Sequence, residues 1–256
     1  MSSSDSSLPL TTRDFWMQYW SQTQPESVSE DVLFKDLLHF FPKAPARFIE
    51  IGGFPGIFST YFKKYLKYDV TLLDFVVAKD ILEKIQEVNG LMPGEIQAIE
   101  GDLFQLPLPE KKFDVVFSAG FIEHFKDTSA VFHKHVEYMN DDGILYISLP
   151  NFKGINGLVQ KWLDIDNYNV HNIDCMEKFV LQKLALAYNL EIKFLDYWGI
   201  PHLWLDHPDL VSLFTRKLVY LTSAVLSRTG SLLKGRYFSP CIVLIAKKKK
   251  IGDVLV

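Results

Sequence analysis

Short apolar runs alternate with segments of helical periodicity along most of this 256-residue chain. An apolar run of four to eight residues predicts a buried strand, and apolar residues that recur every three or four positions predict an amphipathic helix. Strands that alternate with helices favour a parallel sheet covered on both faces. The predicted strands lie at 48–51, 69–75, 96–102, 113–118, 143–150, 191–198 and 239–248. We therefore expect a doubly wound α/β fold with a mostly parallel, seven-stranded sheet.

Two stretches outside this alternation define the predicted domain organisation. Residues 1–42 carry an aromatic cluster, followed by a second apolar segment, and predict an N-terminal extension of two helices. Residues 43–256 form the main domain, with a helical insertion at about 199–237 before the last strand. The aromatic residues of the extension are Phe15, Trp16, Tyr19 and Trp20. An aromatic helix of this kind either packs into the core or folds over a ligand site.

The insertion at 199–237 has an apolar stripe flanked by positive charges. Its apolar residues are Leu210, Phe214, Leu218, Leu221 and Val225, and its cations are Arg216, Lys217, Arg228, Lys234 and Arg236. A helical face of this kind serves as a cap over a substrate, a dimer surface or a contact with anionic lipid. The sequence leaves these three alternatives open. No apolar run reaches the length that a membrane-spanning helix needs.

A glycine turn follows the first predicted strand, in the stretch RFIEIGGFPGIFSTY at 47–61. Gly52, Gly53 and Gly56 permit positive φ angles or a close approach of a ligand to the backbone. A helical pattern resumes directly after Gly56, and a helix N-terminus behind a glycine turn favours a nucleotide-type ligand. Glu50 stands near the end of the strand, where a carboxylate is well placed to bind hydroxyl groups. The alternative is a glycine turn that only closes an ordinary strand–helix unit.

Further candidate ligand contacts follow the next three strands. Asp74 lies 24 residues after Glu50, close to the offset of about 20 residues at which an acidic residue binds ribose hydroxyls. Asp102 ends the third predicted strand, and Ala119 and Gly120 follow the fourth. Ligands of parallel α/β sheets bind at the carboxyl ends of the strands. These positions therefore predict one site at one edge of the sheet.

Composition narrows the choice of partners and compartment. A net charge of −4 and an isoelectric point near 6.0 provide no global basic field for nucleic acid, which we therefore exclude as substrate. Cys175 and Cys241 have no metal-binding spacing, and such a pair is typical of a reduced, cytoplasmic protein. The polar start of the chain lacks the features of a signal peptide. We expect a cytoplasmic protein without a transmembrane segment.

The combination of the glycine turn, Asp74, and the segments 101–125 and 141–151 resembles class I S-adenosylmethionine-dependent methyltransferases, in particular their small-molecule "type 11" group. The resemblance covers residues 45–150 well, and 170–198 and 238–247 more loosely. It implies a Rossmann-like fold, S-adenosylmethionine as methyl donor and S-adenosylhomocysteine as product. By position it implies that Glu50, Gly52 and Gly56 cradle the methionine part of the cofactor and that Ala119 and Gly120 line the same part. It also implies that Asp74 binds the ribose, and that Asp102 and the Leu103 backbone bind the adenine.

One residue departs from the family pattern, because Phe54 stands where the family has its middle glycine. We expect the neighbouring Gly53 to supply the lost conformational freedom. The implied function is methyl transfer to an oxygen or nitrogen of a small-molecule acceptor, with sugar-containing and lipid-linked metabolites as candidates. Phe54 keeps open the alternative of a non-catalytic, cofactor-binding scaffold. A nicotinamide oxidoreductase is a third reading, disfavoured because the chain has neither G-x-G-x-x-G nor Tyr-x-x-x-Lys.

Histidines supply the candidate catalytic groups. A sulfonium methyl is already activated, so the protein has mainly to align the acceptor atom, and an alcohol or phenol acceptor also gains from a base. His124, after the fourth strand, is the first candidate base and His171 the second, each with the alternative of a structural role. His133 and His135 lie two positions apart on a predicted helix and point about 200° apart, so they cannot share a metal. The sequence predicts no metal site.

Overall fold

The fold is built on one sheet of seven strands, given by a computed structural model that describes residues 9–32 and 34–249. The strands are β1 (Arg47–Ile51), β2 (Asp69–Asp74), β3 (Ile96–Glu100), β4 (Phe113–Ala119), β5 (Met139–Pro150), β6 (Leu190–Trp198) and β7 (Cys241–Lys248). Their order is β3-β2-β1-β4-β5-β7-β6. The pairs from β3 to β5 are parallel, and β7 pairs antiparallel with both β5 and β6. The predicted α/β class and mostly parallel sheet are confirmed.

Eight α-helices connect and cover these strands in the described part of the chain. They are α1 (Arg13–Trp20), α2 (Ile57–Leu66), α3 (Lys79–Val88), α4 (Thr128–Tyr138), α5 (Ile155–Leu163), α6 (Ile165–Asn169), α7 (Lys178–Ala187) and α8 (Leu213–Ser227). The second predicted helix of the N-terminal extension is a 3₁₀ helix, Lys35–Phe40. Residues 1–8 and Leu33 of that extension, and residues 250–256 of the main domain, lie outside the described residues.

The two faces of the sheet carry separate hydrophobic clusters. Neighbouring β1 residues point to opposite faces, so Ile49 joins the cluster under α4 and α7, while Phe48 joins the cluster under α2, α3 and the 3₁₀ helix. Phe62 of α2 stacks on Phe48 with ring centroids 4.1 Å apart. Burial on both faces explains why the central strands are apolar almost throughout.

Helix α8 of the insertion packs on the rest of the protein through one side only. Val219 and Leu226 form a small cluster with α5 and with the segment that holds Leu203 and Leu205. The stripe that the sequence predicts as apolar lies on the outside, where Phe214 is 78% and Leu221 65% exposed. None of the described helices is long and apolar enough to cross a membrane.

Candidate active site

A cavity of about 1000 Å³ opens at the carboxyl ends of the central strands. The loops after β1, β2, β3 and β4 form its inner wall, α1 lies along another side, and the segment after α6 and the start of the insertion complete it. Its size stands at the upper end of the range of about 300–1,000 Å³ typical of ligand pockets, which leaves room for a nucleoside-sized cofactor and a second molecule. Every site residue that the sequence predicts lines the cavity except Gly56.

The glycine turn owes its shape to two glycines with positive φ. Gly52 has φ +69° and Gly56 has φ +93°, a region that side chains with a Cβ rarely adopt. Gly56 is the N-cap of α2 and lies against Leu82 of α3, so its role is to turn the chain into the helix. A Cβ on Gly52 would fall 1.9 Å from the Phe121 ring. The loops after β1 and β4 are therefore in direct contact.

Glu50 caps α2 from the strand below it. Its Oε2 accepts hydrogen bonds from the Ser59 amide at 2.8 Å and the Ser59 hydroxyl at 2.6 Å, where the N-cap glycine has no side chain to do so. A Cβ on Gly53 would lie 2.0 Å from Cδ of Glu50. Gly53 thus provides space for the carboxylate, and it is not among the positive-φ residues. Burial raises the pKa of Glu50 to about 8, opposed by the bonds from Ser59.

Asp74 ties the glycine turn to the end of β2. One carboxylate oxygen accepts a hydrogen bond from the Phe54 amide at 2.9 Å and the other accepts one from the Val76 amide at 3.1 Å. Burial raises the pKa of Asp74 to about 6, opposed by these amides. The Phe54 side chain turns into the core, where it is 2% exposed and its ring meets Trp20 edge-on at 5.8 Å. The turn therefore accommodates a phenylalanine at this position.

The loops after β3 and β4 supply the remaining predicted contacts. An oxygen of the Asp102 carboxylate accepts a hydrogen bond from the Phe104 amide at 2.9 Å, which shapes the loop into a turn. Leu103 is buried in the core behind it. Gly120 follows Ala119 with φ +68°, and its amide donates to the Ser148 carbonyl of β5 at 2.9 Å. These carboxylates and open backbone positions have the chemistry to bind a ribose, an adenine and an amino acid moiety.

Aromatic side chains form the opposite wall of the cavity. Trp16, Tyr19 and Trp20 of α1 line it, and none of the residues of this helix is buried. The Tyr19 hydroxyl donates to Asp206 of the insertion at 3.1 Å, so the N-terminal helix and the insertion meet at the mouth. Trp204 of the insertion also lines the cavity. Of the two sequence alternatives for α1, the placement is that of a helix over a ligand site.

The two candidate catalytic histidines lie side by side at the aromatic end of the cavity. The rings of His124 and His171 are 4.5 Å apart between centroids. Burial, and then the neighbouring His171, lower the pKa of His124 to about 3. Burial lowers the pKa of His171 as well. Both imidazoles are therefore neutral at neutral pH.

The other histidines singled out in the sequence, His133, His135, His202 and His207, do not line the cavity. His135 is fully buried, with its Nδ1 bonded to the Val131 carbonyl at 2.7 Å and its Nε2 to the Ser118 hydroxyl at 3.0 Å. The side chain of His133 is half exposed on the same helix, so the two point apart as predicted. His207 bonds the buried Asp164 carboxylate at 2.8 Å. Neither His202 nor His207 of the insertion lines the cavity.

A largely parallel sheet with a glycine turn after β1, an acid after β2 and a cavity at the strand ends is the architecture expected of a class I S-adenosylmethionine-dependent methyltransferase. A family model described as a methyltransferase domain matches residues 19–193. The chain therefore belongs to this methyltransferase family, whose cofactor is S-adenosylmethionine. A search of curated proteins found no match.

Solved structures of the same fold carry different activities in their names. Geranyl diphosphate C-methyltransferase from Streptomyces coelicolor A3(2), solved with Mg²⁺, geranyl diphosphate and S-adenosylhomocysteine, is 11% identical, with a TM-score of 0.53 over 92% of this chain and 78% of that one. Phosphoethanolamine N-methyltransferase 2 from Haemonchus contortus, solved with S-adenosylmethionine, is 15% identical, with a TM-score of 0.58 over 84% and 51%. The [4+2]-cyclase SpnF is 13% identical, with a TM-score of 0.58 over 89% and 85%. At these identities the likeness concerns the fold alone.

Proposed function

We propose that this enzyme transfers a methyl group from S-adenosylmethionine to an oxygen or nitrogen of a small-molecule acceptor. The observation that carries the proposal is the continuity of the cavity, which runs from Asp74 and Asp102 to His124 and His171. A donor bound at the acidic end and an acceptor bound at the histidine end would lie in contact within it. Alignment of the two supplies much of the rate in methyl transfer, because the sulfonium is already activated.

The cofactor contacts in this proposal follow the loops around the sheet edge. Asp74 accepts hydrogen bonds from the ribose hydroxyls, Asp102 and the Leu103 backbone hold the adenine, and Gly52, Gly53, Ala119 and Gly120 border the methionine part, while Glu50 and Gly56 keep the turn in shape. The single chemical contribution of the bound cofactor is an electrophilic methyl group on sulfur. The residues of the chain bind it, orient it and exclude water from it.

The acceptor end favours a flat or apolar molecule with one polar group. Trp16, Tyr19 and Trp204 offer faces for stacking, and the histidines are the polar groups among them. Within the proposal, His124 and His171 lie beside the acceptor heteroatom. Because burial lowers the pKa of His124 to about 3, its imidazole is a weak base toward an acceptor hydroxyl.

We also propose that the outer face of α8 contacts an anionic lipid surface, which suits a lipid-linked acceptor. Phe214, Leu218 and Leu221 are more than half exposed, and exposed Trp162 of α5, the helix on which α8 packs, adds an aromatic residue. Cations flank the stripe, and exposed aromatic and apolar residues beside basic ones are the pattern of helices that lie on membranes.

Calorimetry with S-adenosylmethionine, S-adenosylhomocysteine and NAD tests the cofactor assignment. We expect saturable 1:1 binding of the first two and none of NAD. Turnover is then measured as S-adenosylhomocysteine release in the presence of panels of phenols, sugars, amines and prenyl alcohols. Acceptor-dependent release establishes the reaction. Cofactor binding without release by any panel member favours the scaffold alternative and contradicts the proposal.

Co-sedimentation with vesicles tests the lipid contact. We expect the protein to bind phosphatidylglycerol vesicles at low salt and phosphatidylcholine vesicles weakly, and Phe214→Glu to abolish the difference. Met92→Glu, at an exposed apolar residue before β3 at the far edge of the sheet, is the matched control. No sedimentation with either vesicle, together with concentration-dependent dimers that Phe214→Glu dissociates, would assign the face to a second copy of the chain.

A further inference from the structure

Three side chains with metal-binding atoms converge on the acceptor end of the cavity. Glu123 and His124 lie in the short 3₁₀ helix after β4, and His171 lies in the segment after α6. One ligand-type atom from each falls within 4.8 Å of the others. A backbone hydrogen bond of 2.6 Å from the Asn172 amide to the Glu123 carbonyl holds the two segments together. The sequence prediction of no metal site considered only neighbours in the chain, and these residues are distant in it.

The histidines are oriented as metal ligands are. Nδ1 of His124 is 2.9 Å from the Val170 carbonyl, and Nδ1 of His171 is 2.6 Å from the Asn167 carbonyl. A carbonyl only accepts, so each Nδ1 carries the proton and donates, and each Nε2 keeps its lone pair. Donation of the second ring nitrogen to a backbone carbonyl is the usual way in which proteins fix the tautomer of a ligating histidine.

The outer support of His171 extends into the core. The Asn167 side chain donates to Gln160 Oε1 at 2.8 Å, and Gln160 donates to the Trp204 carbonyl at 2.7 Å. Asn167 and Gln160 are both buried, so the Asn167 carbonyl that accepts the hydrogen bond from His171 is itself held in place. The network also joins the histidine segment to the insertion at the mouth of the cavity.

The buried carboxylate of Glu123 provides independent support for a bound ligand. The residue has no exposed surface, and neither carboxylate oxygen accepts a hydrogen bond from another residue among those that the structure describes. A buried carboxylate without a partner is strongly unfavourable. His135 makes the contrast, because both of its ring nitrogens are bonded within the protein. Glu123 instead borders the cavity and lies beside Gly120, whose Cβ would be 3.6 Å from Oε1.

We propose that Glu123, His124 and His171 bind a divalent first-row transition-metal ion of the Zn²⁺ type. Two imidazole nitrogens and one carboxylate oxygen form the set that catalytic zinc sites use, with further positions open to water or substrate. Ligand atoms about 2.1 Å from a tetrahedral ion lie about 3.4 Å apart. The three atoms must therefore draw together by up to about 1.4 Å on binding. Imidazole ligands favour such an ion over Mg²⁺ or Ca²⁺.

This site deepens the proposed function and rests on it, because it assigns hydroxyl compounds as the acceptor class. A hydroxyl bound to the cation loses its proton to solvent far more readily than a free one. Its oxygen then forms the bond to the methyl carbon while the carbon–sulfur bond breaks, and the electron pair of that bond stays on sulfur to give S-adenosylhomocysteine. The histidines act as ligands in this scheme and not as bases.

Titration calorimetry of chelator-treated, full-length protein with Zn²⁺ alone tests the site without any turnover. We expect one ion per chain, and Glu123→Gln and His171→Asn to weaken binding by more than the factor of about 100 that loss of an outer partner can cost. His133→Gln, which removes an exposed histidine outside the cavity, controls for adventitious binding and leaves the affinity unchanged. Mg²⁺ in place of Zn²⁺ produces no saturable heat.

Thermal unfolding with and without Zn²⁺ guards against variants that simply misfold. We expect Zn²⁺ to raise the unfolding temperature of the wild type, and Glu123→Gln to unfold cooperatively without responding to the ion. Equal affinity in all variants, or no stoichiometric binding in the folded wild type, overturns the site. Zn²⁺ binding without acceptor-dependent release of S-adenosylhomocysteine would instead contradict the proposed methyl transfer and leave the metal site standing.

Discussion

The substitution Asp74→Asn separates the two roles that the structure and the proposed function give to this carboxylate. Its oxygens accept the Phe54 and Val76 amides, and in the proposal they also accept the ribose hydroxyls. Asparagine has nearly the same shape but replaces one acceptor oxygen with an NH₂ group. One of the partners therefore faces a donor instead of an acceptor, whichever way the amide is turned.

The expected magnitudes follow from the number of bonds lost. A hydrogen bond to a charged group contributes about 1.5–3 kcal/mol, so loss of one ribose bond raises the Kd for S-adenosylhomocysteine by about 10- to 150-fold. Loss of an acceptor for one buried backbone amide lowers the free energy of unfolding by about 1–3 kcal/mol. The two losses are separately measurable because one needs the ligand and the other does not.

Calorimetry at pH 8, where Asp74 is ionised, gives the Kd, and urea unfolding without ligand gives the stability. Asp69→Asn is the matched control, because Asp69 is an exposed acid at the opposite end of the same strand. We expect it to change neither quantity appreciably. A variant Asp74→Asn with wild-type Kd and reduced stability would refute the ribose assignment and leave Asp74 as a structural tie of the glycine turn.

Two other predictions concern the same turn. Burial raises the pKa of Asp74 from 3.8 in the unfolded chain to about 6 in the native state, so the native state binds the proton more tightly. This tighter binding adds to the free energy of unfolding in full below about pH 4, and the contribution is lost as the pH rises through 6. We expect unfolding free energies to show this decline of about 3 kcal/mol in wild type relative to Asp74→Asn, while S-adenosylhomocysteine affinity increases over the same window. Gly53→Ala drives a Cβ into Glu50 and should lower the urea midpoint by the equivalent of about 1–3 kcal/mol. A midpoint equal to that of wild type would contradict the role of Gly53 as space for Glu50.

Much of the fold and the cofactor end of the site was predictable from the sequence because both depend on local patterns. Apolar runs of strand length identify the seven strands, and the rule that parallel strands present their carboxyl ends at one edge brings Glu50, Asp74 and Asp102 together without further information. Element ends were less certain: β3 stops at Glu100, before the predicted 102. The Asp102 side chain lies instead in the turn that follows.

The reason for a glycine at position 53 could not be predicted from the sequence of the turn. Three glycines permit many conformations, and the sequence pattern favours Gly53 as the substitute for the glycine missing at Phe54. The deciding fact is a distance between side chains, since the Glu50 carboxyl occupies the space where a Cβ on Gly53 would be. That distance depends on Ser59, which draws Glu50 across the turn.

The acceptor end was not predictable because its members come from distant parts of the chain. The aromatic residues of α1 repeat at helical spacing, a pattern shared by helices that pack into a core and helices that cover a site. His171 stands 47 residues after His124, and their contact depends on the path of the chain through α5 and α6, after which the Asn172 amide bonds to the Glu123 carbonyl. Within the sequence, this end of the site is marked locally by the adjacent polar residues Glu123 and His124, shortly after the end of β4.

The turn after β4 links the two halves of the site. Gly120, which the proposed function assigns to the methionine part of the cofactor, lies three residues before Glu123, and a Cβ on Gly120 would lie 3.6 Å from Oε1 of Glu123. We therefore expect a ligand that shifts this turn on one side to shift it on the other. If Glu123 binds a cation as proposed, Zn²⁺ and S-adenosylmethionine share one structural element, and each should alter the affinity for the other by the same factor. Calorimetric titration of the cofactor with and without saturating Zn²⁺ measures that factor, and a Glu123→Gln variant should reduce it to one.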